Sequence, residues 1–207
     1  MRRTLATLLL LLLLLLPATA DGKATVVALG DSMTYGPVNA TSYPTQLQGL
    51  LGTKYRVINK GVNSNRISDM QARFTADVTH YRPRYVLILG GINDILVNES
   101  AETLEAGLKG LYSSTRAIEA TPIAIRITPF GNHAGWTTAR EAVRVTVNSW
   151  IGTTRVRYVD AESALGDFSS PGQPKIRSEY DNGGGLHLNA TGNGVLAHEV
   201  YMQGFGG

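Results

Sequence analysis

The chain has 207 residues, 43% of them hydrophobic and 17% charged, with no cysteine and a formal net charge of +3. That length suits a single domain with a sizeable core, and the lack of cysteine excludes disulfides, thiol catalysis and lipid attachment to a cysteine. The 19 basic residues are scattered and nearly balanced by 16 acidic ones, which excludes a nucleic-acid-binding stripe and a polybasic membrane patch.

In chain order, the N-terminus comes first. Arg2 and Arg3 precede a mostly leucine run from Leu5 to Leu16, followed by Pro17 and Ala18-Thr19-Ala20. A charged start, an apolar stretch and an A-x-A site together describe a signal peptide. The run is shorter than the ~20 apolar residues needed to span a membrane. Residues 1–20 are therefore expected to be cleaved on export, with no stable membrane insertion, leaving a domain over residues 21–207.

Short β-branched runs then alternate with segments of helical period. Expected strands are Thr25–Leu29, Tyr55–Asn59, Tyr85–Leu89, Ile123–Thr128 and Val156–Asp160. Their nearly continuous hydrophobicity fits a parallel sheet covered on both faces. Ile67, Met70, Phe74 and Val78 fall on one helical face, as do Leu104, Leu108, Leu111 and Ile118, and then Ala139, Val143, Val147 and Trp150. Repeated β-α units imply right-handed crossovers and a doubly wound α/β fold, whose ligands lie beyond the carboxyl ends of the strands.

Four loops at those ends carry polar residues. "LGDSMTYG" (Leu29–Gly36) places Ser32 directly after the first strand, where a helix cap is the commoner role for a serine. "NKGVNSNRISDM" (Asn59–Met70) follows the second strand and is rich in amides. "LGGINDI" (Leu89–Ile95) follows the third, with Asn93 either in a turn or presenting an amide to developing negative charge. "YDNGGGLHLNATG" (Tyr180–Gly192) carries His187 before the final helix. The four histidines show no metal-ligand spacing, so a structural or catalytic metal is not expected.

Taken together, Gly30-Asp31-Ser32, the 59–66 loop, Gly91-Ile92-Asn93-Asp94 and Gly185-Leu186-His187 resemble the four blocks of the SGNH, or GDSL-type, esterase and lipase family. The resemblance runs through the segments between the blocks and covers essentially all of residues 21–207. It implies a three-layer α/β/α sandwich with a five-stranded parallel sheet, and a site that hydrolyses small acyl esters without a cofactor. It also implies Ser32 as nucleophile and His187 as general base. The Ser32 N–H, a second-block N–H and the Asn93 amide would form the oxyanion hole.

Two positions depart from the family pattern. The second-block donor, usually a glycine, is Ser64 here, with Gly61 out of register. The acid usually found three residues before the histidine is replaced by Gly184. Three readings follow: Asp181 serves as the acid from six residues upstream, a backbone carbonyl orients the ring, or the site only binds. The substrate is expected to be an acetylated carbohydrate, a short-chain or aryl ester, or a lysophospholipid. A silent domain that binds acyl or carbohydrate ligands is the alternative.

Overall fold

The computed structural model describes residues 22–36 and 41–205, so the expected leader lies outside the described residues. Five strands form one parallel sheet: β1 (Ala24–Gly30), β2 (Tyr55–Gly61), β3 (Tyr85–Leu89), β4 (Thr121–Ile125) and β5 (Arg157–Val159). Their spatial order is β2-β1-β3-β4-β5. Between and after them run α1 (Ser32–Tyr35), α2 (Tyr43–Leu51), α3 (Ile67–Ala72), α4 (Phe74–Asp77), α5 (Ile92–Leu96), α6 (Ala101–Ala117), α7 (Thr138–Thr153), α8 (Ala161–Leu165) and α9 (Ala190–Glu199). Gly166–Asp167 and Lys175–Ile176 add a short antiparallel pair outside the main sheet.

Alternation along the strands divides the core into two layers. Val27, Leu29, Val86 and Ile88 pack with the buried faces of α3 to α7, whereas Val26, Ala28, Leu87 and Leu89 pack with α2, α8 and α9. The result is the expected three-layer α/β/α sandwich. On α3 and α4 the expected stripe of Ile67, Met70, Phe74 and Val78 is buried, as are Leu104, Leu108 and Leu111 on α6.

Three expectations need correction. β4 starts two residues earlier than expected, despite Pro122, and ends at Ile125. Thr121 donates its N–H toward β3, so the missing N–H of Pro122 points toward β5, whose pairing begins only at Ile123. β5 is also shorter than the expected run, spanning Arg157–Val159. On α7 the buried residues are Glu141, Arg144, Val147, Asn148 and Ile151, while Ala139 is exposed. Arg144 is fully buried because Glu141 accepts from its Nε and Nη2 at 2.9 and 2.6 Å and Glu162 pairs with Nη1 at 2.7 Å. A stripe counted from apolar residues alone cannot detect a buried ion cluster.

The sheet places the functional loops side by side. The chain winds outward from β1 to β2, then returns to place β3 on the other side of β1, so the strand order reverses between β1 and β3. Ligand crevices open at such a switch point. Gly30 pairs with both Gly61 and Leu89, so three segments leave the sheet at one level.

Asp31 opens α1 by accepting the Met33 N–H on Oδ1 at 2.8 Å, while its buried Oδ2 has no hydrogen-bond partner among the described residues. Burial raises its pKa from 3.8 to about 7, with the nearby Asp94 carboxylate adding to the rise. A carboxyl whose folded pKa exceeds its unfolded one favours folding when protonated, and that stability is lost as pH rises from about 4 to about 7. Asp31→Asn keeps the Met33 acceptor without this charge. The melting temperature of the variant relative to the parent is expected to rise by several degrees between pH 5 and pH 8. A difference that stays constant across thermal melts in that range would refute the assignment.

Candidate active site

Close packing of backbone allows the turn after β1. A Cβ on Gly61 would lie 2.0 Å from the Tyr35 nitrogen, and one on Gly30 would lie 2.1 Å from Thr34 Oγ1. Only glycine lets α1 rest against the ends of both strands. Asn59 closes the same corner: its Nδ2 donates to the carbonyls of Thr34 and Tyr35, and its Oδ1 accepts the Gly61 N–H at 2.8 Å. Ser32 therefore sits half-buried on a braced turn, and as the first residue of α1 its N–H has no intrahelical partner.

The fold brings His187 to this serine across 155 positions. Ser32 Oγ and His187 Nε2 are 2.8 Å apart. Burial lowers the imidazole pKa, His133 lowers it further, and Asp181 opposes both. The neutral ring is thus favoured, the form that can accept a hydroxyl proton. With Ser32 donating to Nε2, the ring proton lies on Nδ1.

Asp181, considered in the sequence as a substitute acid, makes other bonds. Its Oδ1 accepts the N–H groups of Gly183 and Gly185, and its Oδ2 also accepts that of Gly185, all at 3.0 Å. Among the described residues no carboxylate or carbonyl is hydrogen-bonded to His187 Nδ1. Gly184 has space around it: an added Cβ would meet only Asn182 Oδ1, at 3.4 Å, and its φ is not left-handed.

Ser64 and Asn93 both reach the crevice. Ser64 is exposed and left-handed, with φ of 62°, a conformation that costs a residue bearing a Cβ about 1 kcal/mol. Its N–H makes no hydrogen bond among the described residues. Asn93 donates through Nδ2 to the Asn65 carbonyl at 3.0 Å, tying the third loop to the second. Arg73 fixes that second loop: Nε donates to Asn65 Oδ1 at 2.6 Å, Nη1 to the Lys60 carbonyl and Nη2 to the Gly30 carbonyl. Asp94 accepts the Ile67 N–H at the start of α3, and burial raises its pKa.

Ser32, Ser64, Asn93 and His187 border one cleft of about 480 Å³. Tyr35, Asn63, Asn182 and Asn193 also line it, and sequence reading had not singled them out. The pattern offers a signal only for Asn193, an Asn one helical turn after the Asn189 cap. It is buried, accepts the Tyr43 N–H and donates to the Leu188 carbonyl, pinning the His187 segment to α2. His133 and Trp136 do not line the cleft; the backbone of Asn132 and His133 instead packs against Gly185. Asp160 is structural, capping α8 through Ser163 and pairing with Arg126 at 3.2 Å. Among the described residues no group of three or more His, Asp or Glu is placed to hold a metal ion.

Comparison with known proteins identifies the family and the fold. The model of the GDSL-like Lipase/Acylhydrolase family matches residues 28–195. An acetylxylan esterase of Geobacillus stearothermophilus is 40% identical over 60 residues, a match spanning 27% of each chain. Among solved structures, a G-D-S-L-family lipolytic protein from Desulfitobacterium hafniense aligns with a TM-score of 0.72 at 22% identity, covering 86% of this chain and 98% of that one. An acetylxylan esterase structure from G. stearothermophilus aligns at 0.68 and 20% identity, covering 87% and 93%. At these identities the structures show the shared fold, and the family match shows the lineage: the chain belongs to the GDSL-like lipase/acylhydrolase family.

Proposed function

We propose that the protein is a secreted serine esterase that cleaves small acyl esters of uncharged alcohols through an acyl-enzyme on Ser32. The observation that carries this reading is the 2.8 Å contact between Ser32 Oγ and His187 Nε2 at the switch point of the sheet. Ser32 Oγ attacks the acyl carbonyl carbon while His187 Nε2 takes the hydroxyl proton. The oxyanion then accepts hydrogen bonds from the N–H groups of Ser32 and Ser64 and from Asn93 Nδ2. Collapse breaks the bond to the alcohol oxygen, which takes the proton back from His187. Water repeats the sequence and releases the acid.

The cleft lining favours an uncharged substrate. Among the described residues that line it none is Asp, Glu, Lys or Arg, and four are Asn. Amide groups suit hydroxyl-bearing alcohols and offer nothing to pair with a phosphate or a quaternary amine. The acetylxylan esterase relative points the same way, so acetylated carbohydrate is the preferred substrate class. Export is supported by the N-terminal pattern of Arg2, Arg3 and the leucine run. A silent ligand-binding domain is the second reading, favoured by the lack of a carboxylate on His187 Nδ1. Loss of the acid alone lowers kcat by about 10⁴ in a serine triad, which leaves a slow enzyme rather than none.

A fluorophosphonate probe is expected to label residues 21–207 of the parent at Ser32 only, and Ser32→Ala should neither be labelled nor hydrolyse acetylated xylo-oligosaccharides or p-nitrophenyl esters. Labelling that persists in the variant would reject the nucleophile, and ligand binding without turnover would favour the silent domain.

Asn93→Ala should lower kcat by about 10²–10³ with little change in KM, because the amide acts on the developing oxyanion. A variant that changes KM alone would place Asn93 in ground-state binding.

Gly184→Asp is expected to raise kcat, by about 10²-fold, since the open space and ordinary φ at this position admit the side chain. A carboxylate there would hold Nδ1–H and stabilise the imidazolium. Steady-state kinetics showing no gain would mean that the ring is already oriented by other means.

A further inference from the structure

Asp181 and His187 lie on opposite strands of a small hairpin. Asp181 bridges Leu188, and the Asn182 N–H donates to the His187 carbonyl at 3.0 Å. Opposed residues of an antiparallel pair share a face and successive residues alternate, so His187 shares a face with Asn182, and Asp181 with Leu188. At the hairpin tip, Gly183 and Gly185 are left-handed, with φ of 100° and 70°. Alternating handedness turns successive N–H groups inward into an anion-binding nest. Here the anion is the chain's own: Asp181 takes the N–H groups of Gly183 and Gly185, and Asn182 Oδ1 takes that of Gly184 at 3.2 Å. Asn189 Nδ2 holds the Asp181 carbonyl at 3.1 Å, closing the base of the hairpin.

We propose that Asp181 is a positioning residue and not a substitute triad acid: its carboxylate folds the triple-glycine turn that delivers His187 to Ser32, and the site works as a Ser–His dyad. This rests on the esterase reading given above. A side chain that acts by accepting N–H bonds is replaceable by an amide, because Asn presents the same Oδ1 to Gly183 and Gly185. A side chain that acts as the triad acid is not, since the imidazolium needs its charge.

The test compares Asp181→Asn and Asp181→Ala in the full mature chain, with Ser32-dependent hydrolysis of p-nitrophenyl acetate as the readout. Asp181→Asn should keep kcat within about tenfold of the parent, and Asp181→Ala should lose at least ten times more than Asn. Because the Asp181 charge raises the His187 pKa, the acid limb of the kcat/KM profile should move to lower pH in the Asn variant. A fall of about 10³–10⁴ in Asp181→Asn, matching Ala, would overturn the proposal. If Ala does not fold, the Asn variant decides alone. If the parent shows no Ser32-dependent turnover, it is the esterase reading that fails, and NMR of the His187 ring then tests the hairpin independently. Retained slow exchange of the Gly183 and Gly185 amides in Asp181→Asn supports the proposal. A strongly deshielded Nδ1 proton in the parent that disappears in Asp181→Asn refutes it.

Discussion

Contact between α1 and the ends of β1 and β2 is the constraint on which the site depends. Side-chain-free positions let the four-residue turn carrying Ser32 rest on both strands, Gly30 making room for the Thr34 side chain and Gly61 for the Tyr35 main chain. Any Cβ at Gly61 would collide with the main chain of Tyr35. The strands themselves end level, through the pairing of Gly30 with Gly61 and Leu89. Loops that are distant in sequence therefore emerge at one height around the nucleophile, and no long loop is needed to bring them together.

Holding those loops still requires polar groups in places where water is scarce. Each one found there satisfies particular backbone atoms. Asp31 takes the Met33 N–H, Asp94 the Ile67 N–H, Arg73 the carbonyls of Gly30 and Lys60, and Asn193 joins the Tyr43 N–H to the Leu188 carbonyl. A buried backbone group left unpaired costs about as much as a lost hydrogen bond, so these side chains extend the ordered framework beyond the sheet. The cost falls on the carboxylates: burial raises the pKa of Asp31 and Asp94 alike. Arg144 on α7 follows the same logic, where two glutamates surround a guanidinium fully removed from solvent.

On the histidine side, order comes from a different device. Three consecutive glycines would ordinarily make a loose segment, since glycine loses the most conformational freedom on folding. Here all three amides donate to the side chains of Asp181 and Asn182, and the tip packs on the backbone of Asn132 and His133. The arrangement orients the main chain of His187 firmly, and among the described residues the ring's one hydrogen-bond partner is Ser32 Oγ. Burial favours the neutral ring, and with no described carboxylate on Nδ1 an imidazolium formed there by the proposed mechanism would be less stabilised. In the proposed roles, base and nucleophile are well placed for acyl transfer, and among the described residues no carboxylate on Nδ1 adds the charge that would speed it.

Sequence alone determined the architecture, because it rests on local patterns, and a family resemblance pointed to the candidate site. Continuous apolar runs such as Tyr85–Leu89 mark a doubly covered parallel strand, and the spacing of Ile67, Met70 and Phe74 marks a helix face. The four blocks around Ser32, Ser64, Asn93 and His187 resemble those of an ester-hydrolase family, and the family match agrees. Tertiary structure decided what depends on groups far apart in the chain. Pro122 is admitted into β4 because the neighbouring strand starts one residue later, which no property of β4 itself reveals. Arg144 belongs to the core because Glu162, on another helix, neutralises it. Asp181 and Gly184 lie within six residues of His187, yet whether a carboxylate reaches the ring depends on hairpin pairing and on the handedness of Gly183 and Gly185. Side-chain direction alternates with every residue of a paired strand, so the roles of neighbours in sequence diverge once a partner strand sets the register.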